Sequence, residues 1–262
     1  MSSNMSIGSK SKTSSRKIAP QKTPRQLALQ TTSAFNTWAF KREQPSDSEL
    51  LVQVVETAIT REDPISFALY WGKGPRSTLG SPDLACLSYL TGMANRIEQN
   101  YENGAVMNLV FTDTHARLNG HSEDVIDSYF SDVADAADPS LFRFHRLATL
   151  VEAVEATHTG WSPPDPETLK RLEACAAKWF RGEGSSEEGA LTYFGMNMIE
   201  KQVMAKSFPG SIFATFNGSE YRTLFPDNMP IFYMYSLKKG FSVKPWFMPD
   251  LDASSQLDCR AA

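Results

Sequence analysis

The 262-residue chain is poor in the features that announce common functions. No apolar run approaches the roughly 18 residues needed to cross a bilayer, so a soluble protein without a membrane partner is expected. Its three cysteines, Cys86, Cys175 and Cys259, are odd in number, widely spaced and free of CxxC pairing. That excludes a disulfide scaffold or zinc knuckle and points to a reducing compartment, the cytoplasm. The four histidines, His115, His121, His145 and His158, show no HExxH or related spacing, so no metal is expected. GxSxG is absent, which disfavours a serine hydrolase, and neither a Walker loop nor the dinucleotide GxGxxG occurs. No repeat of fixed period is visible.

Charge is present but uneven. Residues 1 to 25 carry six basic side chains and no acid, whereas the whole chain sums to −4, leaving −10 on the remainder. An acidic body of this kind disfavours nucleic-acid binding. The basic start is Ser-rich and lacks the apolar segment of a secretory signal; residues 1–28 read as a disordered tail, with a transit peptide as the alternative. Residues 29–250 read as a single α/β domain and 251–262 as a flexible tail.

The most informative stretch is Ile65 to Asp83, ISFALYWGKGPRSTLGSPD. Ile65 to Trp71 has little polar alternation, as suits a strand buried on both faces of a parallel sheet. Gly72-Lys73-Gly74-Pro75-Arg76 then breaks the run. Its glycines permit backbone conformations closed to other residues, and Lys73 and Arg76 supply cationic donors for phosphate or carboxylate. Ser81-Pro82-Asp83 opens a helix whose Leu84, Leu87, Leu90 and Met93 share a face. A loop between a strand's carboxyl end and a helix is where open α/β sheets bind ligands, although a basic surface turn has the same composition.

Asn103-Gly104 stops that helix, and Ala105 to Phe111 is a second buried strand. The resulting βαβ unit is expected to be right-handed, with both strands parallel and their carboxyl ends together. Asp113, His115 and Arg117 then fall at the same edge as Lys73 and Arg76. A carboxylate and an imidazole there can relay protons, and strand alternation would point both the same way if the strand continued; a turn cap and an exposed loop residue are the bland readings.

Elsewhere, Thr31 to Lys41, with Phe35, Trp38 and Ala39 at helical spacing, suggests a short helix or cap packing on the body, and Ser46 to Glu49 an N-cap before another helix. Ser122 to Asp124 begins a helix, Leu141 to His145 a short strand, and Pro166 a helix to about Phe180. Arg181 to Gly189 reads as an exposed loop or lid, Leu191 to Lys206 as a helix, and the regions of Ile212 and Ile231 as strands. From the carboxyl-terminal part Arg222, Lys239 and Lys244 are candidates for an anion clamp, with Trp246 as a ligand platform or core residue. Lys can also form an imine with a carbonyl substrate.

Taken in order, Lys73, Leu79-Gly80-Ser81-Pro82-Asp83, the helix to Ile97, Tyr101-Glu102-Asn103-Gly104-Ala105 and a strand ending in Thr112-Asp113 resemble the pyoverdine/dityrosine biosynthesis family, which includes the isocyanide (isonitrile) synthases. Phe208-Pro209-Gly210-Ser211-Ile212, the strand near Ile231 and Lys244-Pro245-Trp246-Phe247 are similar to its closing segments, so the likeness runs from about residue 35 to 248. It implies a Rossmann-like three-layer fold with a mainly parallel sheet and additional amino-terminal helices. It also implies conversion of the amine of an aromatic amino acid to an isonitrile with carbon from ribulose 5-phosphate, and no cofactor. Lys73 would meet the sugar phosphate or its carbonyl, and Asp113 would take the role of the aspartate in the family's "SDGR". The chain departs from the family at GKGPR, at His115, where the family has arginine, and at Phe247, where it has histidine.

The resemblance therefore implies a secondary-metabolism enzyme that modifies the amino group of an amino-acid-like substrate with a phosphorylated co-substrate. Lys73, Asp113 and His115 are the catalytic candidates; Arg76, Arg117, Arg222, Lys239, Lys244 and Trp246 are the binding candidates. Another group transfer from a phosphorylated donor, or metabolite binding without turnover, would fit the same fold.

Overall fold

The computed structural model describes residues 22–72, 78–154 and 162–234. Lys73, Arg76, Lys239, Lys244 and Trp246 lie outside them, as do residues 1–21 and the chain beyond residue 234.

Two helices precede the sheet. Helix α1 (Pro24–Phe35) starts where Thr23 and Gln26 cap each other's backbone N–H groups and Pro24 takes the first turn. It therefore begins earlier than the helix expected over 31 to 41 and ends at Asn36. Of the residues at helical spacing there, Phe35 is buried edge-on against Phe67 and Phe232, while Trp38 is 64% exposed. Helix α2 (Ser48–Arg61) is capped by Asp47, which accepts from the Leu50 N–H at 2.9 Å, and packs on α1.

The described strands are β1 (Ile65–Trp71), β2 (Ala105–Phe111), β3 (Phe142–Arg146), β4 (Ile212–Thr215) and β5 (Ile231–Tyr233). They form one sheet of order β3-β2-β1-β4-β5 with every pairing parallel. β1 and β2 match from Ile65↔Ala105 to Trp71↔Phe111, and Phe111 also pairs with Arg146, so the three carboxyl ends are level. This is the mainly parallel α/β sheet expected from the βαβ reading.

The helices after β1 are α3 (Ser81–Glu98), α4 (Asp113–Leu118), α5 (Glu123–Ala136), α6 (Leu147–Ala153), α7 (Pro166–Trp179) and α8 (Ser186–Ser207). Strand alternation divides the core in two. Phe67, Leu69, Trp71, Leu109 and Phe111 pack with α1, α2, α3 and α5 on one face; Ala68, Val110, Phe213 and Ile231 pack with α6, α7 and α8 on the other. Buried on both faces, β1 reads in sequence as one apolar run.

The path from β1 through β2 to β3 uses helices of the first face, whereas α8 returns to β4 on the second. The sheet's winding thus reverses between β1 and β4. Such a reversal leaves a crevice at the strands' carboxyl ends, and the 72–80 loop departs from one of its two strands.

Candidate functional site

β2 gives way to α4 after Thr112, so the alternation that would have aimed Asp113 and His115 together does not apply. Two positions apart on a helix are about 200° apart around its axis. The two residues accordingly meet different partners.

Asp113 is buried at the start of α4. Its Oδ1 accepts from the backbone N–H groups of Thr114 and Ala148, both at 3.1 Å, tying together the first turns of α4 and α6. Arg117 and Arg146 approach its Oδ2 at 3.5 and 3.4 Å. Both guanidiniums have second carboxylates: Arg117 is held by Glu123 at 2.6 and 3.0 Å, and Arg146 reaches Asp127 at 2.5 Å and lies over the Phe130 ring. The cluster contains more acid than base, and its carboxylate is committed to holding the sheet edge together.

His115 faces the other way. Its Nδ1 lies 2.5 Å from Oε1 of Glu200 on α8, with the histidine side chain 6% exposed and the glutamate fully buried. The Tyr193 ring stacks on the imidazole at 5.6 Å, and the Tyr193 hydroxyl donates to Asn119 just beyond α4. α4 is therefore docked on α8 at both ends. Tyr70, from the last turn of β1 on the same face, has its phenol pKa pushed well above the ordinary value by burial and by the Glu200 charge. Burial raises the Tyr193 phenol to about 12. Both tyrosines thus stay protonated near neutrality beside a carboxylate–imidazole pair. Such a pair can accept a proton and hold it, the basic requirement of a general base.

Glu200 is absent from the sequence-derived candidates because a glutamate in a helix ordinarily faces water. The signal lay in its register: Tyr193, Asn197, Glu200 and Met204 recur at helical spacing, and all four are buried. α8 also starts at Ser186, where Ser185 and Glu188 cap each other, inside the stretch read as a loop or lid. The Arg181 N–H meanwhile donates to the Leu118 carbonyl and moors the remainder to α4.

Arg222 is not drawn to this edge. It lies in the 3-10 segment Ser219–Leu224, where its guanidinium reaches the carbonyls of Phe225 and Pro226 and the Asp227 carboxylate at 3.3–3.4 Å. No group of three or more His, Cys, Asp or Glu side chains fit to hold a metal occurs among the described residues, and none of their helices is long and apolar enough to cross a membrane.

At the mouth of the 72–80 loop, Gly72 adopts φ +78°, and a Cβ there would come 2.9 Å from Phe130 and 3.3 Å from Tyr129. Glycine is required on both counts. At the other end, Gly80 precedes α3, and its N–H donates to Asp83 at 2.8 Å.

No protein-family model and no curated protein matches the chain. Among solved structures, the PvcA protein of Pseudomonas aeruginosa shares the fold: the TM-score is 0.61 at 14% identity, over 85% of this chain and 87% of that one. The tyrosyl-tRNA synthetase of Archaeoglobus fulgidus, solved with L-tyrosine, overlaps at a TM-score of 0.39 and 14% identity, covering 79% of this chain and 63% of that one.

Proposed function

We propose that the protein is a biosynthetic enzyme of the isocyanide-synthase type. In this reading it modifies the amino group of an amino acid or similar amine, using a phosphorylated sugar such as ribulose 5-phosphate as co-substrate. The observation that carries the reading is the reversal of the parallel sheet between β1 and β4, with the Lys73- and Arg76-bearing loop leaving β1 at that point. PvcA, whose fold the chain shares, stands in the pyoverdine/isonitrile synthase family, the one that the sequence motifs resemble.

Lys73 and Arg76 take the anionic co-substrate, with Lys239, Lys244 and Trp246 as further binding candidates. His115 is the proton acceptor, and Glu200 stabilises its charged form. Asp113 fixes the start of α4, and with it the backbone that carries His115. Arg117 and Arg222 have carboxylate partners already and are the weakest of the binding candidates.

The test is mass spectrometry of reactions containing the purified protein, aromatic amino acids and ribulose 5-phosphate. A new product that is lost in Lys73→Ala and in His115→Ala supports the reading; no product from any aromatic amino acid sinks it. The saturated Asp113 favours one second reading, a metabolite-binding relative without turnover. Its signature is a rise in melting temperature with a sugar phosphate and no product.

A further inference from the structure

The turn between α7 and α8 is built around one ring. Phe180, the residue after α7, lies between Gly182 in the turn and Gly189 near the start of α8. A Cβ on Gly189 would stand 2.8 Å from Phe180 Cδ1 and 3.1 Å from the Ala176 Cβ, and one on Gly182 would overlap Phe180 Cζ. Glycine inside a helix is less stable than alanine, so position 189 gives up helix stability to seat the ring. From there the contacts run inward in single file. Phe180 stands edge-on to Tyr193 at 5.6 Å and 86°, Tyr193 lies nearly parallel to His115 at 5.6 Å and 19°, and His115 Nδ1 meets Glu200 Oε1 at 2.5 Å. The Tyr193 hydroxyl donates to Asn119 beyond the far end of α4, which ties the ring at its other edge.

An imidazole that takes up a proton becomes a cation, and the face of an aromatic ring attracts cations through its quadrupole. A leucine would fill the space beside His115 but offer no such face. We propose that Tyr193 is a positioning residue for His115: its ring holds the imidazole on Glu200 and faces the imidazolium, and Phe180, seated by Gly182 and Gly189, holds the Tyr193 ring in turn. The role of His115 as proton acceptor rests on the reading given under Proposed function; the column of rings does not.

The proton on Nδ1 reads the column without an enzymatic assay. A solvated neutral histidine carries its proton mainly on Nε2, whereas an imidazole held on a carboxylate through Nδ1 keeps one there. Nitrogen NMR of protein carrying isotope-labelled histidine, at a pH well above the ordinary histidine value, is expected to show the His115 Nδ1 at the position of a protonated nitrogen. Gln variants of His121, His145 and His158 assign the signal by elimination. A wild-type Nδ1 at the unprotonated position overturns the proposal. Tyr193→Leu should move the signal to the unprotonated position, and Tyr193→Phe, which keeps the ring, should leave it in place.

Gly189→Ala tests the column from its outer end. It alters neither His115 nor Tyr193 and replaces glycine with a better helix former, so ordinary packing predicts no change at His115. The column predicts that the displaced Phe180 moves the Nδ1 signal in the same direction as Tyr193→Leu does. A signal that stays put in either variant overturns the column; if Tyr193→Leu does not fold, Gly189→Ala decides alone. With wild-type product formation as the reference, Tyr193→Leu is expected to lower kcat about fivefold with KM nearly unchanged, as for an interaction made only with the charged imidazole. Signals that move as expected, with no product from any aromatic amino acid, leave the column standing and remove the proton-acceptor role of His115.

Discussion

Asp113 and His115 are two residues apart at one edge of one sheet, yet their surroundings differ in every physical respect. Asp113 is ringed by backbone N–H groups and by two guanidiniums that reach solvent and have other acids to bind. His115 pairs with Glu200, sealed between α4 and α8 with two protonated tyrosines nearby. The first arrangement distributes charge and secures helix starts; the second concentrates a proton-binding pair where water is scarce. A carboxylate beside arginines is the conspicuous feature in sequence. The buried Glu200, 85 positions beyond His115 on a helix with an ordinary-looking composition, is the better candidate for chemistry.

Substitutions break this comparison at its strongest point first. Glu200→Ala should cost about 3–5 kcal/mol in urea denaturation, because it strands His115 in a dry interior. If the loss is under about 1 kcal/mol, the pair is not the sealed unit described. Asp113→Ala should cost about 2 kcal/mol, from two orphaned N–H groups and a neutralised junction between α4 and α6. An Asp113 variant that keeps full stability but loses product formation would reverse the roles assigned to the two residues. Arg117→Ala should cost only about 0.5 kcal/mol, since its guanidinium is 40% exposed and Arg146 remains against Asp113.

How legible these regions were in sequence follows from the range of the interactions. β1 and β2 are readable because strands buried on both faces are nearly all apolar, Ser66 and Asn108 excepted, and right-handed crossover makes their parallel pairing close to obligatory. The placement of β4 beside β1, and with it the winding reversal, depends on pairing across more than a hundred residues and leaves no local trace. α4 escaped because six residues are too few to display a helical period, so Asp113 and His115 kept the alternation of the preceding strand. The spacing of Phe35, Trp38 and Ala39 suits a helix over 31 to 41, but the capped start at Thr23-Pro24 sets the helix earlier and the Trp38 indole stays exposed. Asp83 can be read as a helix-start residue, but not as the buried acceptor of the Tyr129 hydroxyl, 46 positions away.

A third histidine sharpens the comparison at the smallest scale. His145 on β3 is half-buried, its Nε2 3.1 Å from Asn108 Oδ1 and its ring edge-on to Phe208. Unlike His115 it has no carboxylate partner in these contacts, and burial lowers its pKa below 6.5. The unfolded chain therefore takes up a proton on this side chain at a higher pH than the folded one. Its contribution to stability is present above pH 6.5 and is lost as the pH falls through 6.5 towards the folded-state value, where the loss levels off. His121, whose pKa burial also lowers, acts in the same direction. His145→Gln should consequently flatten the fall in melting temperature between pH 6.5 and the folded-state value without removing it, leaving the His121 share. An unaltered slope in that variant would mean that β3 tolerates an imidazolium beside Asn108, and that burial alone does not separate the uncharged histidine of the sheet from the paired one at its edge.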